Sequence, residues 1–495
     1  MSARTGVSPR RVTIVGGGFS GASVAVQLVR ASSAPLAITV IEPRPKIGGG
    51  LAYSTDDSDH RLNAPIEGHL VDPADHTAFQ RWCMERRIAE RDPDAVAPDG
   101  SMFARRMDFG AFVNEITLSH ARWPTGSTIH HVQDMATDAS VGAGIIDVQT
   151  ARGHVLASDL LIVATGNVVP RLPAEFGPDL SANPAIVAVP TDLESVRSIP
   201  TRARVLVIGG GLTALDVLST LIRSGHGGEI TVISRRGLRP RSNLPRKAPP
   251  DVDLTRALLD RVAGRVAPFI QAAAGNTPAI LGLLRALRAQ IRAVESAGET
   301  WHMPFDELRD VVWQVWPTLP TLEKKRFMRH LRPWWDAHRF RTPPQNETIV
   351  RDAERNGRIN FRAARLRSVT QGVDGRICTV LSERGKQNEE VEHFDAVINC
   401  TGIDAAAGAR DNPLLAALQR QGTISIDGSG LGFSVDPECR PIGADGHAHD
   451  LLRIFGPPNV GTFGDSIGAI FIAAQIRRAL PCLLETLGKL PIVNR

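Results

Sequence analysis

Two glycine-rich turns have the residue types and the spacing to bind phosphate groups. In the first turn, Gly16 would bend the chain, Gly18 would let the backbone approach a pyrophosphate, and Gly21 would let a helix pack closely. A β-branched segment precedes this turn and an apolar segment with helical spacing follows it, so the helix would direct its free N–H groups at the phosphates. The sequence therefore predicts a dinucleotide site whose contacts are Gly16, Gly18, Phe19, Ser20 and Gly21.

Three further features extend this first site. Glu42 ends a second strand-like segment, where a carboxylate can accept hydrogen bonds from a ribose 2′-hydroxyl. Gly49 lies in a run of three glycines that would let the backbone pass close to a flat or phosphorylated ligand. Thr165 and Gly166 follow an apolar segment that we expect to form the strand that closes the sheet.

The strand, glycine turn and helix recur later in the chain, which predicts a second dinucleotide site. Its expected contacts are Gly209, Gly211, Leu212 and Thr213, and Thr401 with Gly402 ends its closing strand. After its second strand-like segment the second unit reads Ser234-Arg235-Arg236, with no acidic residue where the first unit has Glu42. An arginine at this place suits a 2′-phosphate, which favours NADPH as the ligand. If the arginine is only a solvated surface residue, NADH remains an alternative ligand.

Two such sites require two parallel sheets covered by helices, so the predicted fold class is α/β with two Rossmann-like dinucleotide-binding domains. Helical periodicity without strand signals fills about a hundred residues before the second closing strand, which predicts a helical insertion or lid. The predicted division is 1–170 for the first domain, 171–240 for the second, 241–345 for the insertion, 346–402 for the rest of the second domain, and 403–495 for a C-terminal part of the first.

Composition excludes several classes of protein. The net charge of +5 is scattered along the chain without an aromatic-interleaved basic stripe, so we expect no nucleic-acid partner. The five cysteines form no C-x-x-C pair and no metal-ligand spacing, which indicates a reducing compartment and offers neither a redox dithiol nor a metal site. The polar N-terminus resembles no signal peptide and no apolar run has the length of a membrane span, so we predict a cytoplasmic protein.

Two stretches outside the glycine turns carry residues suited to substrate chemistry. Asn63 lies in an irregular stretch, where its amide is either a turn stabiliser or a hydrogen-bond donor to a ligand oxygen. The segment 329–343 is rich in tryptophan and arginine. It would form either a helical core with an arginine-rich face or a pocket whose guanidinium groups hold a planar anion. The candidates for substrate binding are Arg332, Trp335, Arg339 and Arg341.

The order of these motifs resembles the flavoproteins with two dinucleotide-binding domains, the glutathione-reductase-like superfamily that includes class B flavin monooxygenases. The segments 48–53, 62–65 and 334–341 look like a bacterial FAD/NAD(P)-binding group that includes a flavoprotein urate hydroxylase and relatives of an amino-acid N-hydroxylase. The chain departs from the class B pattern at 176–182, where the F-x-G-x-x-x-H fingerprint lacks its histidine.

This resemblance implies FAD at the first turn, NADPH or NADH at the second, and a C-terminal helix that begins near Asp465 and stabilises the reduced flavin. It implies a monooxygenase that uses O₂ to hydroxylate a small planar or anionic substrate through a flavin hydroperoxide, with Asn63 beside the oxygen adduct. The favoured substrate is urate, converted to 5-hydroxyisourate in purine catabolism. An amino-acid N-hydroxylase and an NAD(P)H-dependent flavin oxidoreductase without oxygen transfer are the alternatives, and a homodimer is expected.

Overall fold

The computed structural model describes residues 8–142, 144–166, 170–246, 252–275, 278–402, 408–464 and 467–489. Strands and helices alternate through most of these ranges, as the sequence predicts. The strands are β1 (Arg10–Val15), β2 (Leu36–Ile41), β3 (Thr128–Val132), β4 (Ala136–Val141), β5 (Ile146–Thr150), β6 (Val155–Ser158), β7 (Leu160–Val163), β8 (Ile186–Val187), β9 (Val205–Ile208), β10 (Ile230–Ser234), β11 (Ile359–Gln371), β12 (Ile377–Glu383), β13 (Glu389–Phe394), β14 (Ala396–Asn399) and β15 (Leu452–Ile454).

The α-helices connect and cover these strands. They are α1 (Phe19–Ala31), α2 (Ala78–Glu85), α3 (Ile88–Arg91), α4 (Arg106–Ser119), α5 (Leu193–Arg197), α6 (Leu212–Arg223), α7 (Leu254–Ala263), α8 (Pro268–Ala274), α9 (Ile280–Ser296), α10 (His302–Asp310), α11 (Val312–Val315), α12 (Thr321–His330), α13 (Arg332–Arg339), α14 (Pro344–Arg355), α15 (Gly408–Asp411), α16 (Pro413–Arg420), α17 (Val460–Phe463) and α18 (Ala469–Lys489). No helix in the described ranges is long and apolar enough to cross a membrane.

The first sheet has the strand order β15-β7-β1-β2-β3, and all of its strands are parallel. Ile14 of β1 pairs with Val40 on one side and Ile162 on the other, and all three side chains are fully buried. Such burial on both faces explains why these strands are continuous apolar runs rather than alternating ones. The central position of β1 places the first glycine turn at the carboxyl edge of the sheet, where such folds bind ligands.

The second sheet has the order β13-β12-β11-β10-β9-β14-β8. It is parallel from β8 to β11 and antiparallel at β12 and β13. β11 is long enough to belong to both parts, with an irregularity between Leu366 and Ser368. β4, β5 and β6 form a third, antiparallel sheet. Each of the two larger sheets thus has an interior strand that leads into a glycine turn and a helix, and the predicted fold class is confirmed.

The helices between β10 and β11 run from α7 to α14, slightly beyond the predicted insertion of 241–345. Although they interrupt the second sheet, they pack on the first unit. Leu259 and Val262 of α7 share a buried cluster with Leu70 and with Phe471 of α18. Trp316 donates a hydrogen bond from its indole to the carbonyl of Gly461, just before that helix, at 2.8 Å. The insertion therefore links the two units, and the exact domain boundaries stay a prediction.

Helix α18 begins at Ala469, four residues after the predicted start at Asp465. Asp465 lies outside the described residues, so its predicted contact with a cofactor stays a prediction. The first turns of the helix are buried against the core of the first unit, through Ala469, Ile472 and Ile476. The start of α18 is therefore fixed close to the first sheet.

Candidate cofactor and active site

The first glycine turn is shaped by close backbone contacts that leave no room for side chains. Gly16 has a φ of +99°, and a methyl group on it would stand 2.6 Å from the carbonyl oxygen of Ala164 at the end of β7. A methyl group on Gly21 would stand 1.9 Å from the carbonyl oxygen of Gly16. Helix α1 begins at Phe19, and Gly18 precedes it without a side-chain cap. The first N–H groups of α1 therefore have no side-chain acceptor and are suited to a phosphate.

Glu42 lies behind this turn and is 3% exposed. Its Oε2 accepts a hydrogen bond from the backbone N–H of Gly17 at 2.9 Å, and its Oε1 accepts one from the N–H of Arg44 at 3.0 Å. Oε1 also accepts a hydrogen bond from the guanidinium of Arg44 at 3.1 Å, so Oε2 is the oxygen that can still accept a further hydrogen bond, as a ribose hydroxyl would require. Glu42 thus both shapes the turn and keeps acceptor capacity for a nucleotide.

The three-glycine run 48–50 packs directly over the first turn. Gly48 donates from its N–H to the carbonyl of Gly17 at 2.6 Å. A methyl group on Gly50, whose φ is +52°, would stand 3.0 Å from the Cα of Gly18. A methyl group on Gly49 would stand 2.4 Å from Oγ of Ser54. The sequence predicts that the run 48–50 lies near a ligand. The structure shows that this run contacts the first glycine turn at Gly17 and Gly18.

One buried polar atom supports a ligand at this place. The hydroxyl Oγ1 of Thr165 is buried and has no hydrogen-bond partner among the described residues. Thr165 follows β7, beside the carbonyl that touches Gly16, and Gly166 after it is exposed and surrounded by open space. Buried hydroxyls are normally satisfied, so an orphaned one beside a glycine turn fits a polar ligand. The residues present therefore fit a dinucleotide such as FAD.

Aromatic side chains pack behind the first turn. The ring of Tyr53 lies edge-on to Phe109 at 4.8 Å, and the ring of Phe19 lies 5.7 Å from Phe109. His69 meets the same phenyl ring at 5.1 Å. Burial raises the pKa of Tyr53 to about 12 and lowers the pKa of His69 to about 4, so both side chains are neutral near pH 7. Tyr53 and His69 therefore pack as neutral rings.

The second glycine turn has the same construction with more open space. Gly209 has a φ of +112°, and a methyl group on it would stand 2.0 Å from the carbonyl oxygen of Cys400 at the end of β14. Gly211 precedes α6 without a side-chain cap, and nothing lies within 4 Å of where its Cβ would be. Leu212 and Thr213 form the first turn of α6, which places their N–H groups at this opening.

The closing residues of the second unit also lie beside its turn. Thr401 donates from its hydroxyl to the side-chain oxygen of Asn399 at 2.7 Å, and both Thr401 and Gly402 are exposed. Arg235 is exposed and follows β10 directly, at the carboxyl edge where the sequence places it. The predicted contacts of the second site thus share one edge of the sheet.

The backbone of Asn63 contacts the segment that follows β10. The side-chain amide of Asn243 donates to the backbone carbonyl of Asn63 at 3.2 Å and to the carbonyl of Thr342 at 2.8 Å. The structure therefore brings Asn63 close to the end of the tryptophan- and arginine-rich segment, as the hypothesis of a shared site requires. Asn243 was missed, because it lies in a polar stretch without periodicity.

The arginines of that segment differ in their surroundings. Arg341 is buried, donates to both carboxylate oxygens of Asp306 at 2.5 and 3.1 Å, and lies over the ring of Trp301 at 5.2 Å. Burial would raise the pKa of Asp306, but Arg309 and Arg341 hold that pKa below its usual value. Arg332 pairs with Asp336 at 2.7 Å. The charges of Arg332 and Arg341 are thus already compensated, contrary to the expectation of guanidinium groups available to an anion.

The other two candidates of the segment occupy different places. Trp335 packs with Phe305 at 4.9 Å and with Phe327 at 6.1 Å, inside the helical insertion. Arg339 is 8% exposed and lies over the ring of Phe471, in the first turn of α18, at 5.1 Å. Arg339 is therefore the candidate that links the insertion to the start of the C-terminal helix.

A polar stripe along α6 fixes the second unit against the first. Asp216 pairs with Arg106 at 2.7 Å, and the hydroxyl of Thr220 donates to Asp57 at 2.7 Å. Asn346 donates to the hydroxyl of Ser219 at 2.9 Å. These residues were not predicted, although the spacing of 216, 219 and 220 on an otherwise apolar helix is a signal that could have found them. The stripe holds the helix of the second turn in a fixed position.

Two protein families match parts of the chain. Residues 13–168, which include the first turn, match the family described as FAD-NAD(P)-binding. Residues 104–247, which include the second turn, match the family described as pyridine nucleotide-disulphide oxidoreductase. The five cysteines are free, and burial raises the pKa of Cys83 to about 12 and also raises the pKa of Cys400 and of Cys439. No curated protein matches the sequence.

Solved structures match nearly the whole chain at low sequence identity. The ornithine N-hydroxylase of Kutzneria sp. 744 has 16% identity and a TM-score of 0.62, covering 97% of this chain and 99% of its own. The L-lysine 6-monooxygenase of Pseudomonas syringae has 16% identity and a TM-score of 0.63, covering 96% and 99%. The cadaverine monooxygenase of Erwinia amylovora has 11% identity and a TM-score of 0.63, covering 99% and 97%.

These matches agree with the predictions at the level of fold, cofactors and general reaction. The likeness to solved structures shows the two-unit fold, and the family matches fall on the two glycine turns that the sequence assigns to dinucleotides. The predictions of FAD and NAD(P) as cofactors and of an oxidoreductase are confirmed. The chain is an FAD- and NAD(P)-dependent oxidoreductase with the fold of the flavin-dependent N-hydroxylases.

Proposed function

We propose that the protein is a monooxygenase that hydroxylates the primary amino group of a small aliphatic amine or amino acid, using NADPH and O₂. The observation that carries this proposal is the likeness to N-hydroxylases over nearly the full length, insertion included. The substrates in the names of those enzymes are ornithine, lysine and cadaverine, which share an amino group at the end of an alkyl chain. This is the alternative that the sequence resemblance offered beside urate.

FAD at the first turn and NADPH at the second is the arrangement that the residues support best. Glu42 suits a ribose with a free 2′-hydroxyl, whereas Arg235 suits a 2′-phosphate. Gly18 would hold the FAD through its backbone N–H and Thr165 through its free hydroxyl, while Gly16, whose N–H donates to the carbonyl of Ile41, shapes the turn. Once bound and reduced, FAD supplies the activation of O₂.

The contribution of the chain is then to position the substrate and exclude water. We place oxygen transfer beside Asn63, whose backbone Asn243 ties to the end of the insertion. Arg341 and Trp335 would form a rigid wall, since the first is held by Asp306 and the second by phenylalanines. Arg339 would interact with a carboxylate when the substrate has one. A dry wall matters because premature loss of the activated oxygen wastes NADPH.

The three enzymes reported above give urate hydroxylation no support, because their names refer to ornithine, lysine and cadaverine. The site argues in the same direction. A planar anion would require guanidinium groups with uncompensated charge, and Arg332 and Arg341 already pair with Asp336 and Asp306. An amine without a carboxylate, such as cadaverine, makes no such demand.

The test is substrate-dependent NADPH oxidation by the FAD-loaded enzyme, with product analysis by mass spectrometry. Ornithine, lysine, cadaverine and urate are compared at equal concentration. We expect one of the three amines to accelerate NADPH oxidation and to gain one oxygen atom as a hydroxylamine. No mass gain with any primary amine, together with a hydroxylated purine from urate, would overturn the proposal.

A variant of Asn63 tests the placement of the reaction. In Asn63→Ala we expect NADPH oxidation to continue while less product forms, with hydrogen peroxide making up the difference. Asn360→Ala, at an exposed position of β11, is the matched control and is expected to stay coupled. Unchanged coupling in Asn63→Ala would remove Asn63 from the site.

The oligomeric state belongs to the same proposal. We propose a homodimer, with twice the 53.3 kDa mass of one chain. Light scattering after size exclusion measures this mass directly, and a mass of one chain at micromolar concentration would contradict it.

A further inference from the structure

Arg453 is the largest fully buried side chain in the described ranges. It is the middle residue of β15, at the edge of the first sheet, and its side chain reaches helix α18. Its Nη1 donates to the carbonyls of Asp450 and Leu452, each at 2.7 Å. Its Nε is buried and has no acceptor among the described residues. Arg453 is therefore a buried cation with an unused hydrogen-bond donor, which is rare in folded proteins.

No carboxylate in the part of the chain that the structure describes forms an ion pair with Arg453. Asp450, whose carbonyl Arg453 contacts, directs its carboxylate to Arg440 at 2.7 Å. Asp436 also pairs with Arg440, at 2.6 Å. A buried charge without an anionic partner is costly. A group that brings an anionic or oxygen acceptor to this guanidinium would therefore be bound favourably.

The other contacts of the guanidinium are a thiol and a hydroxyl on α18. Nη2 of Arg453 donates to Sγ of Cys482 at 3.5 Å and to Oγ1 of Thr486 at 3.2 Å. Cys482 and Thr486 are four residues apart, so they lie on the same face of the helix. The hydroxyl of Thr486 donates in turn to the carbonyl of Cys482 at 2.9 Å. A thiol sulfur is only a weak acceptor, so the guanidinium is held in place beside Sγ without a strong acceptor.

Cys482 differs from the other four cysteines in exposure and in surroundings. Cys83, Cys400 and Cys439 are buried, and burial raises the pKa of each of these thiols. Cys378 of β12 is half-buried, as Cys482 is, but no guanidinium donates to its sulfur in the described ranges. Peroxides oxidise thiolates, and an accessible sulfur beside a guanidinium is the setting that favours this reaction. Cys482 alone combines the two conditions among the described cysteines.

We propose that Cys482 is a modification site, at which hydrogen peroxide forms a sulfenic acid whose oxygen is held by Arg453 and Thr486. The thiol proton passes to solvent, and the sulfur attacks one oxygen of the peroxide. An S–O bond forms and the O–O bond breaks. The sulfur is oxidised by two electrons and the peroxide is reduced, and its second oxygen leaves as hydroxide, which takes a proton from solvent and becomes water.

The product supplies what the buried guanidinium lacks. Oxidation adds an oxygen atom to Sγ, and oxygen is a stronger acceptor than a thiol sulfur. The hydroxyl of Thr486 lies beside the same nitrogen of Arg453. Uncoupled turnover of a flavin enzyme releases hydrogen peroxide, so the oxidant is available where the protein works. The inference does not rest on the proposed function, because the peroxide is added in the test.

The experiment treats the full-length, FAD-loaded protein with hydrogen peroxide in the presence of dimedone, which traps sulfenic acids. Peptide mass spectrometry then follows the adduct at each cysteine. Cys378 is the matched control, because it is half-buried and has no guanidinium contact. We expect the adduct at Cys482 to form at least about tenfold faster than at Cys378, since an ordinary cysteine is only a few per cent thiolate near pH 7. Cys482→Ser should remove this adduct and leave the flavin content unchanged.

Three substitutions test the holding residues. Arg453→Met removes the charge, and the adduct at Cys482 should then form about tenfold more slowly, whereas Arg453→Lys keeps the charge and should keep most of the rate. Thr486→Val removes the hydroxyl and keeps the shape of the side chain. In this variant the sulfenic acid should survive for a shorter time when dimedone is added only after the peroxide has been removed.

Several results would overturn the inference. Equal rates of adduct formation at Cys482 and Cys378 in the wild type remove the modification site. Equal rates in Arg453→Met and Arg453→Lys remove the guanidinium from it. If Arg453→Met does not fold, Thr486→Val decides in its place, because an unchanged lifetime of the sulfenic acid shows that its oxygen is not held there.

Discussion

Gly211→Ala is predicted to separate nucleotide binding from stability at the second turn. Gly211 has a φ of −85°, which alanine adopts without strain, and no atom lies within 4 Å of the added methyl group. Two small effects on the free energy of unfolding oppose each other. Alanine restricts the conformations of the unfolded chain, which stabilises the folded protein by about 0.4–1 kcal/mol. Alanine is also a poorer residue than glycine at the position before a helix, which destabilises the folded protein. We expect a net change within about 0.5 kcal/mol.

The effect on binding has a different size because the methyl group occupies the opening at the start of α6. A pyrophosphate that would approach the N–H groups of Leu212 and Thr213 must move away from at least one of them. A hydrogen bond to a charged group contributes about 1.5–3 kcal/mol. The dissociation constant of NADPH should therefore rise by about 10- to 150-fold, since about 1.4 kcal/mol corresponds to a factor of ten.

The assay is anaerobic titration of the FAD-loaded enzyme with NADP⁺, alongside urea unfolding. Gly177→Ala is the control, since Gly177 also has open space around it but lies far along the chain from both turns. The flavin content of Gly211→Ala should equal that of the wild type, because FAD is assigned to the other turn. A dissociation constant within threefold of the wild type would refute the role of this turn, and loss of flavin would reverse the assignment of the two sites.

Three further variants test the surroundings of the sites. Gly18→Ala places a methyl group 3.3 Å from the Cα of Gly50, so it should lower the flavin content while the affinity for NADP⁺ stays unchanged. Unchanged flavin content with a weaker affinity for NADP⁺ would contradict the assignment of FAD to the first turn. Asp216→Ala removes the carboxylate that pairs with Arg106 at a mostly buried contact, and it should lower the free energy of unfolding in urea by about 2 kcal/mol, against under 0.5 kcal/mol for the exposed Arg87→Ala. His69 is neutral in the folded state, with its pKa lowered to about 4, so its contribution to stability is complete above about pH 6.5 and is lost as the pH falls towards 4. The wild type should therefore lose about 2 kcal/mol more than His69→Gln between pH 7.5 and pH 5, and equal losses would refute the buried neutral ring.

The parts of the fold that the sequence predicted are those that local rules determine. A strand, a glycine turn and a helix follow each other within about twenty residues, so Gly16 and Gly209 could be recognised without knowledge of the rest. The closing strands before Thr165 and Thr401 were found for the same reason. Burial on both faces of a parallel sheet makes such strands uniformly apolar, and this signal is also local.

Contacts between distant parts of the chain could not be predicted in this way. Asn243 joins Asn63 and Thr342, which are far apart in sequence, through a single side-chain amide. The pairing of Arg341 with Asp306 spans 35 residues, and nothing in the sequence distinguishes Asp306 from other acidic residues nearby. The sequence singled out the arginine-rich segment 329–343, but it could not tell which of its charges the protein itself compensates.

The insertion has consequences for how the two units can move. It leaves the second sheet between β10 and β11, yet Trp316 bonds to Gly461 and Arg339 packs on Phe471, both in the first unit. The polar stripe of α6 adds a second connection, through Asp216 and Arg106. A rotation of the second unit would have to break both connections together, and buried ion pairs are costly to break singly. We therefore expect nicotinamide and flavin to meet in a preformed gap between fixed units rather than through a swing of the nucleotide-binding domain.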